Sequence, residues 1–423
     1  MKEKIIIIGA GISGLCASYF LNKPNTVLES KPYAGGLCRS FYEDGFTFDC
    51  SGHFIHIKDA KIKNLVEKLC GGIDTIKRNT AIYFGSKLIP FPFQANLYYL
   101  DEKTKKECVD GILKRKNIEI NNKMSFIDWS KAMFGSGITK YFMQAYNEKL
   151  WSWDLKKLTA EWTGAFVPKP DAQTIAQSAY KKNKIQYGYN SVFYYPKTGG
   201  AQKLIDGLLK KTNPVYNAPV EKIDVKKKLL FTSGGEKTYK YSKIISTQPI
   251  VELVKELINA PSEIKKAASQ LHSNSVRCIN IGVKSKKGLP KFLKGKHWIY
   301  IPSKKIPFYR VGIYSNINLS LAPQNSYSFY IECSSANGIY EGAESVVETL
   351  IKLGFIGLND EISALNIVDM PYAYVIFDKN REQSLKKIQD FLIANNIFSI
   401  GRYGAWEYSF IEKNILDAQR LKC

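Results

Sequence analysis

The fold of this chain is decided by residues 5–20, which read IIIIGAGISGLCASYF. The apolar run predicts a buried parallel strand, and the apolar spacing after the glycines predicts a helix. Between them, Gly9, Gly11 and Gly14 complete the spacing G-x-G-x-x-G, and Glu29 ends a short second strand at about the expected distance. Such glycines allow a tight turn and close approach of the backbone to a diphosphate, while the acid accepts the ribose hydroxyls. The stretch therefore predicts a dinucleotide-binding domain.

The chain is strongly basic: it has 423 residues and a formal charge of +23. A charge of this size attracts nucleic acid, anionic membrane surfaces or phosphorylated metabolites. Only eight of the 61 basic residues are arginine, however, and the lysines are spread along the whole chain. This distribution favours a solvated lysine-rich surface. We therefore predict no nucleic-acid partner.

The cysteines and histidines indicate neither disulfides nor a metal site. The eight cysteines, Cys423 among them, form no C-x-x-C pair, and there are only four histidines. No apolar stretch approaches the roughly 20 residues that span a bilayer, which predicts no transmembrane segment. The first strand begins almost at the N-terminus, which leaves no room for a signal sequence. We predict reduced thiols and a cytoplasmic location.

Segments that would complete the dinucleotide-binding domain are scattered along the chain. Short strands and turns recur between residues 193 and 249, and a glycine-rich turn near residue 401 precedes a final helix. Residues 97–190 are mainly helical in pattern, whereas residues 276–378 mostly read as strands. We predict an α/β fold with a discontinuous Rossmann-like FAD-binding domain and two insertions, one helical and one an antiparallel β-sheet substrate domain. The predicted boundaries are 1–90, 191–270 and 386–423 for the FAD-binding domain, 91–190 for the helical domain and 271–385 for the β-sheet domain.

A second glycine cluster, Gly35-Gly36, follows Glu29 closely. Flavoprotein chains commonly lay a second loop along the cofactor at this point, and Arg39 could face the diphosphate from it. Arg402, near the end of the chain, could reach the flavin. The predicted cofactor-binding residues are Gly9, Gly11, Ser13, Gly14, Glu29, Gly36, Arg39, Ser40, Val220 and Arg402.

Several more selective motifs resemble one enzyme family from end to end of the chain. The motifs are Gly52-His53, Pro90-Phe-Pro-Phe-Gln94, Tyr146-Asn147-Glu-Lys-Leu-Trp151, Trp298-Ile-Tyr300-Ile-Pro302, Pro307-Phe-Tyr309-Arg310 and Arg402-Tyr-Gly-Ala-Trp-Glu-Tyr408. Together they resemble the flavin-dependent UDP-galactopyranose mutases, and the eukaryotic-type branch more than the bacterial one. The ten-residue interval from Tyr300 to Arg310 matches the family pattern without a gap.

The resemblance implies tightly held FAD that is active when reduced. It also implies interconversion of the pyranose and furanose forms of a nucleotide-diphosphate sugar, supplying furanose precursors for surface polysaccharide. In that chemistry the reduced flavin N5 attacks the anomeric carbon, and no net redox occurs. The flavin must first be reduced, by NAD(P)H or by a separate reductase. Whether the protein forms a homo-oligomer stays open.

Four residues are implied as catalytic by the same resemblance. Arg310 would hold the substrate diphosphate through its planar guanidinium, against the alternative of a structural ion pair. Tyr300 and Tyr374 would donate to the same phosphates, although an arbitrary tyrosine more often belongs to the core. His53 would approach the flavin as a neutral imidazole. His56 has no such support and reads as an ordinary histidine.

The remaining implied residues surround the nucleotide and the sugar. Asn147 and Trp151 lie four positions apart on one helix face, although a Trp on an amphipathic helix usually packs in the core. Gln94 could hydrogen-bond a base. The predicted substrate-binding residues are Phe93, Gln94, Asn147, Trp151, Tyr309 and Tyr408.

The chain departs from the family pattern at three positions. Phe166 stands where the family has an arginine that is a second diphosphate ligand, and Phe91 and Ile317 stand where it has tyrosines. A lost charge-assisted hydrogen bond changes binding by about 1.5–3 kcal/mol. Lys169 could supply the missing charge as a point cation. We therefore predict a different sugar nucleotide as the substrate.

Two other functions are compatible with the same architecture. An oxidoreductase like the amine oxidases or protoporphyrinogen oxidase would need an apolar or amine-binding cavity, and Arg310 argues against it. A GDP-dissociation inhibitor would carry no working flavin, and the intact glycines and Glu29 argue against that.

Overall fold

The computed structural model describes residues 4–421 except 22, 116–117, 184, 186, 189–190 and 234–236. The strands are β1 (Ile5–Ile8), β2 (Asn25–Leu28), β3 (Ser40–Glu43), β4 (Phe46–Asp49), β5 (Ile73–Lys77), β6 (Thr80–Phe84), β7 (Lys87–Pro90), β8 (Val192–Pro196), β9 (Val220–Asp224), β10 (Leu229–Thr232), β11 (Lys237–Lys240), β12 (Lys243–Ser246), β13 (Ser275–Lys284), β14 (Trp298–Tyr300), β15 (Arg310–Ile313), β16 (Ser326–Ser335), β17 (Glu361–Met370) and β18 (Ile397–Ser399). The α-helices are α1 (Ile12–Phe20), α2 (Ala60–Cys70), α3 (Glu102–Leu113), α4 (Phe126–Ile138), α5 (Ala145–Trp151), α6 (Ala172–Gln177), α7 (Gln202–Leu209), α8 (Ile250–Glu256), α9 (Ser262–Ser269), α10 (Ala343–Lys352), α11 (Arg381–Ala394), α12 (Gly401–Gly404) and α13 (Ile411–Gln419).

The N-terminal segment lies at the centre of a four-stranded parallel sheet of order β18-β12-β1-β2. All four isoleucines of β1 are buried, as expected for a parallel strand that is covered on both faces. A Cβ added at Gly14 would lie 1.9 Å from the Gly9 carbonyl oxygen, so only glycine lets α1 pack this closely on the preceding turn. The prediction of a Rossmann-like domain is confirmed.

This sheet draws its strands from distant parts of the chain. β12 pairs with β1, and β18 pairs with β12, so residues near 245 and 398 complete a sheet that begins at residue 5. Helix α13 packs against α1, and α7 packs against α2. The predicted final helix is therefore present, and the dinucleotide-binding fold is discontinuous.

A seven-stranded sheet of order β17-β13-β16-β15-β14-β6-β7 forms the second layer. Its pairs are antiparallel except for β14 and β6, which are parallel, so the sheet is mixed where we predicted an antiparallel one. Strands β6 and β7, which we assigned to the FAD-binding domain, belong to this sheet. The sequence did not show this assignment, because β14, which pairs with β6, lies more than 200 residues further along the chain.

Helices α3 to α6 occupy the region predicted to be mainly helical. Helices α3 and α4 approach so closely that a Cβ at Gly137 would lie 2.4 Å from the Glu107 carbonyl oxygen. Between α4 and α5 the chain forms a π-helical segment, Thr139–Gln144. Such segments occur frequently at functional sites. Here the segment carries Phe142 and Met143, which line the cavity described below.

The cysteines in the described part of the chain are free and buried, and Cys423 lies outside it. Burial raises the pKa of the Cys16 thiol to about 12, so this thiol stays protonated. Among the described residues, no cluster of histidine, cysteine or acidic side chains could hold a metal ion. Nor does the described chain contain a helix long and apolar enough to cross a bilayer.

Candidate active site

One cavity of about 540 Å³ extends from the glycine turn of the parallel sheet to the face of the mixed sheet. Its wall includes Gly9 and Glu29 at one end, and Tyr300, Arg310 and Glu332 at the other. The helical region closes a third side. Residues predicted to bind a cofactor and residues predicted to bind a substrate therefore share one space.

The dinucleotide end of the cavity is shaped by two glycine loops that face each other. A Cβ added at Gly36 would lie 3.3 Å from the Cα of Gly11, so a side chain here would narrow the space. The Glu29 carboxylate is buried and accepts hydrogen bonds from the backbone amides of Ala10 (2.8 Å) and Lys31 (2.9 Å). These contacts hold the acid at the end of β2. The residues present therefore fit the diphosphate and ribose of FAD.

The C-terminal segment meets this end of the cavity. A Cβ at Gly401 would lie 2.4 Å from the Ser13 hydroxyl, which places α12 directly against the start of α1. The Arg402 guanidinium lines the cavity and donates to the carbonyls of Ala373 (2.9 Å) and Ser409 (2.8 Å). Its charge is therefore held in place by backbone oxygens.

Four of the predicted cofactor residues lie outside the cavity wall. Gly14 lets α1 pack closely on the Gly9 carbonyl. Val220 is the first residue of β9 and packs, partly buried, against the largest hydrophobic core. The Arg39 guanidinium lies 3.5 Å from the ring centroid of Tyr33, in a separate surface groove. The Ser40 hydroxyl donates to the Asp49 carboxylate at 2.6 Å.

Arg310 reaches the cavity as half of an ion pair with Glu332. The two residues lie opposite each other on β15 and β16, and Nε and Nη2 of Arg310 donate to the two carboxylate oxygens. Glu332 is 1% exposed and also accepts a hydrogen bond from Ser51. Among the described residues Nη1 of Arg310 has no hydrogen-bonding partner, so one end of the guanidinium is available to a ligand.

Our sequence reasoning missed Glu332. The signal was present: Glu332 directly follows the apolar run Phe329-Tyr-Ile331, and an acid inside a buried strand needs a partner. The partner lies 22 residues away, across a strand pair.

His53 lies in the loop after β4, beside the ion pair. Its Nδ1 lies 3.4 Å from the carbonyl oxygen of Ser51, and since a carbonyl only accepts, Nδ1 carries the proton in this contact. Burial lowers the pKa of His53 to about 4, so the imidazole is neutral near pH 7. The residue before His53 must be a glycine, because a Cβ added at Gly52 would lie 2.4 Å from the Tyr330 hydroxyl.

The predicted tyrosines line the same cavity. Tyr300 stacks on Phe91, with ring centroids 4.9 Å apart, and meets the edge of Tyr146 at 5.3 Å. Tyr374 lies 5.6 Å from Tyr408, and both rings line the wall. These are aromatic surfaces that can carry a sugar or a base and still present hydroxyl groups.

Several buried polar atoms in the wall have no partner among the described residues. A buried polar atom without a partner is rare, because it forfeits its hydrogen bonds to water. Each of these side chains is therefore a candidate to contact a ligand. The atoms are Gln94 Oε1, Trp162 Nε1, Trp298 Nε1 and the Tyr309 hydroxyl.

The helical region supplies Asn147 but not every residue predicted from it. Asn147 lines the cavity, and its Oδ1 accepts from Trp151 Nε1 at 3.2 Å, so the two do share a helix face. Trp151 and Phe93 are fully buried and lie outside the wall. Phe93 stacks on Phe142 at 5.2 Å, which makes it a support for the wall.

Residues 7–69 match the family model described as an NAD(P)-binding Rossmann-like domain. A crystal structure of reduced UDP-galactopyranose mutase superposes with a TM-score of 0.93 and 26% sequence identity, covering 99% of this chain and 94% of that one. The chain has the fold of UDP-galactopyranose mutase. The resemblance drawn from the sequence motifs is confirmed in three dimensions.

Other flavoprotein-type structures are less similar to this mutase-like chain. A protein of Exiguobacterium sp. 255-15, provisionally named a protoporphyrinogen oxidase, has a TM-score of 0.76 at 15% identity, covering 99% of this chain and 97% of its own. A putrescine oxidase variant has a TM-score of 0.66 at 15% identity, covering 99% and 98%. Both show the fold alone. An inactive all-trans-retinol 13,14-reductase of Danio rerio is 46% identical over 54 residues, 12% of this chain and 9% of that protein's length.

The positions at which the chain departs from the mutase pattern alter one side of the cavity. Phe166 lines the wall, with its ring 4.3 Å from that of Tyr408. Lys169 is exposed and lies outside the wall, with its ammonium 5.5 Å from the Trp129 ring. Ile317 is buried outside the wall as well. This mutase-like cavity therefore presents an aromatic ring where the family pattern has a cation.

A further cation of this mutase-like cavity, Arg78, was not predicted. It is 5% exposed, lines the wall and lies 5.0 Å from the Phe91 ring centroid. It also donates to the Tyr187 carbonyl. Its only sequence signal was an isolated arginine ahead of β6, which does not distinguish a cavity residue from a surface one.

Proposed function

We propose that this protein is an FAD-dependent mutase that interconverts the pyranose and furanose forms of a nucleotide sugar without net redox. The observation that carries the proposal is the shared cavity. It joins a dinucleotide-binding turn to an arginine that is held by an acid and has one nitrogen without a partner in the described part of the chain. The 26% identity to a UDP-galactopyranose mutase across 99% of the chain supports it.

FAD would be held by Gly9, Gly11, Ser13, Glu29 and Gly36, which line one end of the cavity. When bound and reduced, FAD supplies the nucleophile for the anomeric carbon of the sugar. The glycine turn would leave space for its diphosphate, and Glu29 would accept its ribose hydroxyls. The other steps of the reaction depend on side chains of this chain.

Arg310 stabilises the departing diphosphate. Burial acts to lower the pKa of Arg310, but Glu332 and nearby tyrosines raise it well above its usual range, so the guanidinium stays charged. Glu332 fixes its direction through two hydrogen bonds, and Nη1 is left to donate to a phosphate oxygen. A donor oriented in advance, in a site shielded from water, stabilises developing negative charge effectively.

His53 and the tyrosines complete the site with neutral groups. With its proton on Nδ1, His53 offers Nε2 as a hydrogen-bond acceptor at the sugar or the flavin. Tyr300, Tyr309 and Tyr374 offer hydroxyl donors to the phosphates. Neutral donors add contacts without adding charge, which suits a site whose main cation is already paired with an acid.

The substrate we propose is a nucleotide sugar other than UDP-galactose. Phe166 replaces the second cation of the family pattern, and Lys169 lies outside the wall and does not supply it. At position 166 the cavity therefore has an aromatic ring in place of a charge, while Arg78 adds a cation beside Phe91. A role in making furanose precursors of surface polysaccharide, a cytoplasmic location, reduction by NAD(P)H or a separate reductase, and a homo-oligomer stay predictions.

The aromatic lining favours a second candidate, an FAD-dependent oxidoreductase of the amine oxidase or protoporphyrinogen oxidase type. Phe91, Tyr146, Phe166 and Tyr300 give the cavity walls that suit an apolar or cationic substrate. Arg310 and Arg402 oppose this reading: Arg310 has a nitrogen free among the described residues for an anionic group, and the Arg402 charge, which is held by backbone carbonyls, repels an amine.

One experiment distinguishes the candidates. The purified protein is assayed for bound flavin, then offered a panel of nucleotide sugars in its oxidised and dithionite-reduced forms. Ring isomers formed only by the reduced protein, with no stoichiometric oxidation, support the mutase. Sustained oxygen consumption with an amine or a porphyrinogen would contradict it and support the oxidoreductase, and a protein that never binds flavin would exclude both.

A further inference from the structure

Lys149 on α5 makes an unusual set of contacts. Its ammonium is partly buried and donates to three backbone carbonyls, those of Ile301 (2.9 Å), Ser303 (2.9 Å) and Phe308. An ammonium has three N–H groups, so these bonds use its full donor capacity. Carbonyl oxygens gathered around one cation indicate that the cation holds their segment in shape.

The three carbonyls belong to the loop between β14 and β15. The loop starts after Tyr300 and ends at Arg310, both of which line the cavity. Its ends are joined by a hydrogen bond from the Ile301 amide to the Tyr309 carbonyl (2.8 Å), and the Tyr309 amide donates to the Glu332 carbonyl (3.0 Å). The shape of this loop therefore sets where the Arg310 side chain leaves the backbone.

Helix α5 is itself fastened to the mixed sheet at this point. The Lys149 carbonyl accepts a hydrogen bond from Ser334, and the Leu150 carbonyl accepts one from Asn274 at 2.8 Å. Asn147, one half-turn earlier, lines the cavity. Lys149 thus joins the helix at the nucleotide side of the cavity to the loop that precedes the proposed diphosphate ligand, and it does so from a partly buried position.

We infer that Lys149 is a positioning residue, whose ammonium closes the β14–β15 loop and thereby holds the backbone from which Glu332 directs the Arg310 guanidinium into the cavity. The inference rests on the proposed function only for the role of Arg310. The closure of the loop by Lys149 stands independently of the substrate, and it is tested below without an activity assay.

The protonation state of Lys149 should matter near neutral pH. Burial lowers its pKa to about 7, and a neutral amine has only two N–H groups, so one of the three carbonyls then loses its donor. The titratable group that acts on it electrostatically is Cys333 on β16, and the charged neighbours on its own helix and in the loop are Glu148 and Lys304. Glu148 and Lys304 pair with each other at 2.6 Å.

The first test measures amide hydrogen exchange of residues 301–309 in the flavin-bound protein, corrected for intrinsic exchange. In the wild type, protection of this segment should fall as pH rises from about 6 to 8, while β13 keeps its protection. Lys149→Met should expose the segment at every pH, and Lys149→Arg, which stays charged, should remove the pH dependence. Unchanged protection in both variants would overturn the inference.

The second test compares kinetics. In Lys149→Met we expect kcat/KM to fall by about 10²-fold with normal flavin content, because a small misplacement of a catalytic group has an effect of this size. The wild type should lose activity above pH 7, and this loss of activity should be absent in Lys149→Arg. If Lys149→Met does not fold, the pH dependence of exchange in the wild type and in Lys149→Arg still tests the inference.

The matched control is Lys305→Met, which removes an exposed lysine from the same loop and should leave both the exchange profile and the pH dependence of activity unchanged. If the same effects appear in this control, the loop is generally fragile and Lys149 has no specific role. If no substrate is turned over by any variant, the proposed function fails, whereas the exchange measurements still test the closure of the loop.

Discussion

The position of Arg310 in the structure is compatible with both of the roles that the sequence left open for it, a structural ion pair and a contact to the substrate diphosphate. It forms the structural ion pair with Glu332, and it also lines the cavity with one nitrogen free among the described residues. Pairing with an acid reduces the net charge that a ligand meets, but it also removes the freedom of the side chain to turn away. The site therefore relies on orientation more than on charge.

We expect Arg310→Ala to lower kcat/KM by about 10²–10³-fold, because it removes an oriented donor from the developing negative charge. Flavin content should stay normal, since Arg310 lies at the far end of the cavity from the glycine turn. Steady-state kinetics and the flavin absorbance of the purified variant measure the two quantities.

A matched control is available in the same sheet. Arg277 forms a bidentate pair with Asp369 (2.7 and 2.9 Å) on the exposed side of β13 and β17. An exposed pair contributes only about 0–1 kcal/mol to stability. Arg277→Ala should therefore leave kcat/KM unchanged; an equal loss in both variants would remove Arg310 from the proposed mechanism.

Phe166→Arg should improve kcat/KM for UDP-galactopyranose by about tenfold or more, since a charge-assisted hydrogen bond contributes about 1.5–3 kcal/mol. Its side chain would start from the cavity wall beside Tyr408. Lys169→Ala, outside the wall, should have no effect on the same assay. Failure of Phe166→Arg to change the substrate preference would show that the altered specificity depends on more than this side chain.

His53 makes a prediction about stability in acid. Its pKa is about 4 in the folded protein and about 6.5 in an unfolded chain, so between these values the unfolded chain binds more protons. The free energy of unfolding therefore falls as pH drops from 6.5 to 4. In His53→Gln, the decrease of Tm over this range should be smaller, as measured by thermal denaturation. An identical decrease would mean that His53 is not neutral in the folded protein.

At the scale of elements, the sequence predicted best the features that are local. The strand, turn and helix of residues 5–20 specify one another within a few positions, and Asp44 and Gly45 turn the β3–β4 hairpin with positive φ values of 48° and 80°. Pairings between distant segments could not be predicted in the same way. Placing β6 beside β14 required the whole sheet, and so did pairing Arg310 with Glu332.

Side-chain direction could not be read from the sequence either. The motif resemblance places Trp151 and Phe93 at the nucleotide, but a cavity wall and the core beneath it lie on the same apolar face of an element. In the structure both residues are fully buried one layer below the wall, and Phe93 packs on Phe142, which does line it, so their contact with a ligand stays a prediction. Arg39 points into a surface groove because Tyr33, six positions earlier, offers a ring to stack on.

The contact between α1 and the glycine turn gives a prediction at this scale. Gly14→Ala would place a Cβ 1.9 Å from the Gly9 carbonyl oxygen, which forces the helix away from the turn. We expect loss of bound flavin and a Tm lower by several degrees. Gly342→Ala, at the start of α10 with φ −65° and no heavy atom within 4 Å of the added carbon, should change neither. Normal flavin content in Gly14→Ala would contradict the packing argument.

At the scale of the whole molecule, the charge of +23 acts on the proposed substrate from a distance. A nucleotide-diphosphate sugar is an anion, and a cationic surface raises its encounter rate in a way that salt screens. We expect kcat/KM to fall several-fold between about 20 and 300 mM salt, while kcat stays constant. A kcat/KM that does not respond to salt would show that the lysines serve solubility and not substrate capture.

The order of strands in the parallel sheet also bears on how the protein is made. The glycine turn is translated long before β18 and α12, which complete the sheet and press on Ser13. A nascent chain therefore displays the nucleotide fingerprint before the segments that close this sheet have been made. We expect cofactor loading to wait for these segments, which leaves chaperones an interval in which to meet an unpaired β1 edge.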